Sequence, residues 1–104
     1  MRGLPLILAA GLGLAAIAPS GAQLSDPNLG RSVAASCSNC HGMTGVSRGD
    51  VPSIAGRPKD ELVRKMQDYK AGRTQGTIMP QLAKGYTDEQ IDLVAAWFAA
   101  QSAK

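Results

Sequence analysis

Residues 36–42 read SCSNCHG. The chain holds two cysteines and one histidine among its 104 residues, and all three, Cys37, Cys40 and His41, fall in one C-x-x-C-H run. Three chemistries use such crowding: a thiol–disulfide pair, a corner of a zinc site, and a covalent anchor for a prosthetic group. The flanking residues decide between them.

Upstream, Asp26-Pro27 reads as an N-cap followed by proline at the first helical position. A helix from there carries Leu29, Val33 and Ala34 on one face into the cysteine pair. Downstream, residues 41–56 are rich in Gly, Ser and Pro and read as irregular loop. Pro58 opens a second helix with Asp60 and Glu61 in its first turn, where the macrodipole favours acids. Leu62, Met66 and Tyr69 form its apolar stripe, and Gly72 is placed to end it. Residues 73–86 read as a loop with one short turn around Gln81 to Ala83. Thr87 and Gln90 then fit a capping box, starting a last helix that runs to about Gln101 with Ile91, Val94, Ala95 and Phe98 on one face. No segment alternates like a strand. The expected fold is all-α, with three to four short helices and long loops.

Zinc needs three or four ligands. Cys40 and His41 are sequence neighbours, which strains a tetrahedral arrangement, and no further cysteine or histidine remains to close the site. A thioredoxin-like pair belongs in a βαβ setting at a helix start. Here the strands are missing, and the thiols lie near a helix end, where the dipole raises a thiol pKa rather than lowering it. The remaining reading accounts for the spacing. C-x-x-C-H is the attachment signature of a c-type haem. Cys37 and Cys40 add to two vinyl groups of the porphyrin, and His41 reaches the iron from one side. The expected cofactor is one covalently bound haem c.

The rest of the chain agrees with that expectation. Met1 and Arg2 precede an uncharged run over residues 4–18, followed by small residues at Ser20 and Ala22. This is the layout of a secretory signal peptide cleaved near Ala22. Residues 23–104 are then expected to form one domain, exported to the periplasm, where haem attachment of this kind takes place. The apolar run is interrupted by Pro5, Gly11 and Gly13 and falls short of the roughly 20 residues of a membrane span, so no stable membrane insertion is expected. Eleven basic residues face eight acidic ones, and loss of Arg2 with the leader lowers the formal charge from +3 to +2. The basic residues are scattered, which fits a solvated surface and not a nucleic-acid interface. Tyr69, Tyr86, Trp97 and Phe98 are the only aromatics, a thin inventory for a small domain. A porphyrin would be the largest apolar body available to fold around.

With one histidine in the chain, bis-histidine ligation is excluded, and a thioether is the next candidate for the second axial position. Met1 leaves with the leader. Met43 lies two residues from His41 and cannot pass around the ring to the opposite face. Met79 sits in a loop far enough along the chain to cross the porphyrin, and it is the assigned ligand. Met66, on the stripe of the second helix, and an exogenous ligand such as water are the alternatives. His41/Met79 ligation leaves no vacant position for substrate and favours Fe(II), which is the chemistry of an electron carrier. There is no flavin fingerprint and no activated nucleophile, so the chain by itself is expected to turn over no substrate.

From GRSVAASCSNCHG, VPSIAG, ELVRKMQDYKAGR, the Met79 loop and AAWFAAQ, the chain resembles the class I c-type cytochromes over residues 26–101. The resemblance implies a small cytochrome c-like fold wrapped around one haem. It also implies a hydrogen bond between the haem histidine and the carbonyl of a loop proline, here Pro52, and a crossing of first and last helices at a glycine and an aromatic, here Gly30 and Trp97 or Phe98. The run GTIMPQLAKGYTDEQIDLVAAWFAAQ resembles, more narrowly, the cytochrome subunits of flavocytochrome c sulfide dehydrogenases. That implies a flavoprotein subunit as redox partner and sulfide as the electron source. The alternative is a free shuttle of the same fold serving another dehydrogenase or a terminal oxidase.

If a porphyrin completes the core, a Cys37→Ala/Cys40→Ala variant should be largely disordered by circular dichroism. A cooperative, fully helical variant would contradict this.

Overall fold

The computed structural model describes residues 2–5, 10–14 and 26–104. Ser20 and Ala22 of the expected cleavage site lie outside them. Four helices follow in order: α1 (Leu29–His41), α2 (Lys59–Lys70), α3 (Met79–Ala83) and α4 (Asp88–Ala99). No strand occurs among the described residues. The two long terminal helices pack on each other, α2 packs on α4, and α3 packs on α2.

Local chemistry sets most of the boundaries, with small departures from expectation. The Asp26 carboxylate accepts from the Asn28 N–H at 2.8 Å, and its carbonyl accepts from the Leu29 N–H at 3.1 Å. That turn uses up the residues expected to start the helix, so α1 begins at Leu29 and not at Pro27. Pro58, extended at ψ 136°, precedes α2 as its N-cap. Gly72 ends that helix at φ +75°, donating to the Tyr69 carbonyl at 3.1 Å. The short turn expected at Gln81–Ala83 reaches back to Met79, because Pro80 is acceptable in a first turn whose N–H groups have no helical partner. The capping box at Thr87 forms as expected: Thr87 Oγ1 accepts from Gln90 N at 3.1 Å, and Gln90 Oε1 accepts from Thr87 N at 2.9 Å. Helix α4 stops at Ala99, two residues short of the expected end. There the Gln101 side chain donates to the Trp97 carbonyl at 2.8 Å and the Phe98 carbonyl accepts from Gly56 at 2.9 Å.

The core is small. Ile91, Val94, Ala95 and Phe98 of α4 are buried, as their spacing anticipates, together with Ala34, Ala55 and Ala83. Val33, Cys37, Ile54, Leu62 and Trp97 are partly buried around the Ala34–Val94–Phe98 cluster. No residue of α2 is fully buried; Leu62, Met66 and Tyr69 are each half-exposed. Phe98 and Ile91 are the largest fully buried side chains. At the α1–α4 crossing, Gly30 lies against the partner helix so closely that a Cβ there would stand 3.1 Å from the Leu93 carbonyl oxygen and 3.6 Å from Trp97 Cβ. Trp97, not Phe98, is therefore the aromatic opposite the glycine. Phe98 packs edge-on against it, ring centroids 4.9 Å apart, and lies in the core cluster with Ala34 and Val94. Exposed ion pairs tie the surface, notably Lys59–Asp92 at 3.0 Å and Lys70–Asp88 at 3.1 Å between α2 and α4. Such exposed pairs contribute little each.

Gly30→Val would push a branched side chain into the α4 backbone. It should cost about 1–3 kcal/mol of unfolding free energy, measured by guanidinium titration of the holoprotein; an unchanged midpoint would show that the helices do not depend on this approach.

Candidate functional site

The last turn of α1 carries Cys37, Cys40 and His41. The two sulfurs, three residues apart, stand on the same side of the helix. Cys37 is half-buried against the core cluster and Cys40 is exposed; both are free thiols. Burial pushes the Cys37 thiol up, opposed by the nearby Ser36 and Tyr86 hydroxyls. The direction is the one expected, but its leading cause is desolvation by the core and not the helix end. A raised thiol pKa is the opposite of what a thiol–disulfide catalyst needs. Among the described residues no three Cys, His, Asp or Glu side chains converge to hold a metal ion, as a zinc site would require.

The chain leaves α1 through Gly42 at φ +95°, where any Cβ would run into the Val46 carbonyl. The loop that follows is held at several points. The Gly45 carbonyl accepts from Ile54 N at 2.8 Å and Ala55 N at 3.1 Å, and the Gly56 N–H donates to the last turn of α4. Gly45, at φ +90°, lies under Phe98: a Cβ there would sit 2.7 Å from the ring and 2.9 Å from Ala55 N. Ser53 Oγ accepts from Ser47 N at 2.9 Å. So fastened, the loop brings the Pro52 carbonyl to 2.6 Å from His41 Nδ1. A carbonyl can only accept, so Nδ1 carries the proton and the Nε2 lone pair is left for another ligand.

Met79 arrives from a separate element. It is the half-buried first residue of α3, not part of an open loop. The segment before it packs tightly: a Cβ on Gly76 would stand 3.0 Å from the Tyr69 ring and 3.1 Å from Pro80 Cδ. Met66 is half-buried on α2, while Met43 is 83% exposed. One contact went unread in the sequence. Ser36 Oγ and Tyr86 Oη lie 2.6 Å apart, joining the cysteine turn to the α3–α4 connection. The AKGY run singles out Tyr86, but nothing local says what it touches.

Residues 27–98 match the family described as cytochrome c oxidase, cbb3-type, subunit III. The cytochrome subunit of sulfide dehydrogenase from Chlorobaculum tepidum is 37% identical over 103 residues, covering 96% of this chain and 94% of that one. The chain belongs to the class I c-type cytochromes. Cytochrome c4 from Pseudomonas aeruginosa is 34% identical over 73% of this chain, which spans only 38% of that protein. The thiosulfate dehydrogenase electron acceptor of Stutzerimonas stutzeri is 28% identical over 88% of this chain and 44% of its own length. As a member of this family the cytochrome binds haem c covalently, and with one C-x-x-C-H run it is a monohaem electron-transfer protein. The donor set fits that group: two thiols on one turn, an imidazole whose Nε2 is free, and a half-buried thioether on another element. Among the described residues, no helix is long and apolar enough to cross a membrane.

Proposed function

We propose that this cytochrome is the electron-accepting subunit of an exported, periplasmic sulfide dehydrogenase whose other subunit is a flavoprotein. The observation that carries the reading is the reciprocal match to the Chlorobaculum subunit, 96% of one chain and 94% of the other. Relatives of which this chain spans less than half support the fold more than the assembly. The match to the thiosulfate dehydrogenase electron acceptor favours a second reading, a carrier for another dehydrogenase, but 44% coverage of that protein ranks it below the first.

Cys37 and Cys40 would hold the haem through thioether bonds, and His41 Nε2 and the Met79 sulfur would ligate its iron. The bound group supplies a one-electron iron couple. His41 donates its Nδ1 proton to Pro52, which fixes the ring plane and makes Nε2 a better donor. Met79, a soft neutral ligand, favours the reduced state and raises the potential. With both residues engaged, no open position remains for substrate, so oxidation of sulfide belongs to the partner. Between residues 26 and 104, the exposed large apolar side chains are Met43, Val51, Ile78 and Leu82. Each lies within three positions of His41, Pro52 or Met79, which suits a short-range apolar contact with a redox protein around the site. The low net charge of the chain offers little long-range steering.

In the holoprotein, Met79→Ala should abolish the red absorption band of sulfur-ligated ferric haem and lower the midpoint potential by a sizeable part of the roughly 0.8 V that axial ligands span. Retention of both would point to Met66. Purified from its natural source, the cytochrome should co-elute with a flavin-containing polypeptide and be reduced on addition of sulfide; a lone monomer indifferent to sulfide would leave the second reading.

A further inference from the structure

Tyr86 sits where three parts of the molecule meet. Its backbone N–H donates to the Ala83 carbonyl at 3.2 Å, and Gly85 donates to Leu82 at 3.0 Å, so Tyr86 closes the turn that ends α3. The next residue, Thr87, is the doubly bonded cap of α4. The Tyr86 backbone is thus rigidly related to Met79, which starts the same short helix. Its hydroxyl reaches across 50 residues of sequence to Ser36 Oγ at 2.6 Å, at the short end of the O–H···O range. Among the described residues, this is the one side chain–side chain hydrogen bond that α1 makes.

Ser36 Oγ also lies 3.3 Å from the Val33 carbonyl. Across the 2.6 Å contact either hydroxyl can be the donor. Ser36 immediately precedes Cys37. We propose that Tyr86 is a positioning residue: through Ser36 it ties the α3 segment that presents Met79 to the α1 turn that anchors haem, and so holds the methionine sulfur on the iron. The inference rests on Met79 being the axial ligand. The short α3 has no side-chain cap and packs on α2, leaving the Tyr86 hydroxyl as a direct side-chain tie between its end and α1.

The test is displacement of the sulfur by imidazole in purified ferric holoprotein, followed by loss of the red absorption band, with global unfolding measured in parallel. Tyr86→Phe removes one oxygen and keeps the ring. It should lower the imidazole concentration at half-displacement about two- to tenfold, the factor implied by loss of one ordinary hydrogen bond. Ser36→Ala should do the same, the double variant should add nothing further, and Ser36→Thr should restore the wild-type value. Equal half-displacement in Tyr86→Phe and wild type, with the band present in both, overturns the tie and leaves the ligand assignment standing. A displacement shift that merely tracks the loss of global stability, without rescue by Ser36→Thr, also overturns it. Absence of the band from the wild-type protein overturns both readings together.

Discussion

The hydrogen bond from His41 Nδ1 to the Pro52 carbonyl is where the separate parts of this cytochrome are brought to account. It exists only because the 42–56 loop folds back on the end of α1. That return depends on Gly45, whose carbonyl receives two amides and whose missing side chain makes room for Phe98. Phe98 in turn belongs to α4, and its own carbonyl secures Gly56. The orientation of one imidazole is thus set by the packing of the last helix, more than 50 residues away in the chain. A histidine with a freely rotating ring would still be a base, but it would not hold a fixed direction toward a metal.

Helix α4 serves as the common wall. One side meets α1 at Gly30, through a backbone approach close enough that a Cβ would crowd the Leu93 carbonyl. Other contacts receive α2, with Asp88 accepting from both Gln67 at 3.0 Å and Lys70 at 3.1 Å; these two donors hold the Asp88 carboxyl below its usual pKa. What α4 does not provide is bulk. With Phe98 and Ile91 the largest fully buried side chains, polypeptide alone makes a slight core for a domain of this size. That economy suits a chain whose cofactor contributes apolar surface as well as electrons.

The same arrangement separates two roles. On the proposed assignment, the end of α1 and the loop after it serve attachment and ring orientation, and they are fastened to α4. Met79 belongs to a short helix fastened to α2, with Gly76 set close to both Tyr69 and Pro80. On the proposed assignment, covalent links would retain the group while a separate, softer donor adjusts its potential. The Ser36–Tyr86 hydrogen bond joins the two directly.

Much of this was legible from the chain alone, and the boundary between legible and not is physical. The proposed roles of Cys37, Cys40 and His41 were readable from spacing, because a C-x-x-C-H run keeps all three donors among neighbouring residues. The Thr87–Gln90 capping box, the Gly72 stop and the buried face of α4 were determined for the same reason: their partners lie within about four residues. Pro52 was accessible only through family resemblance, since no local rule says which carbonyl a histidine will meet. Tertiary structure alone decided that Gly30 faces Trp97 and not Phe98, that Gly45 lies under Phe98, and that Tyr86 meets Ser36. Each of these contacts joins segments far apart in the chain, and which atoms meet there depends on how whole helices settle against one another, a question of packing that no single stretch of residues contains.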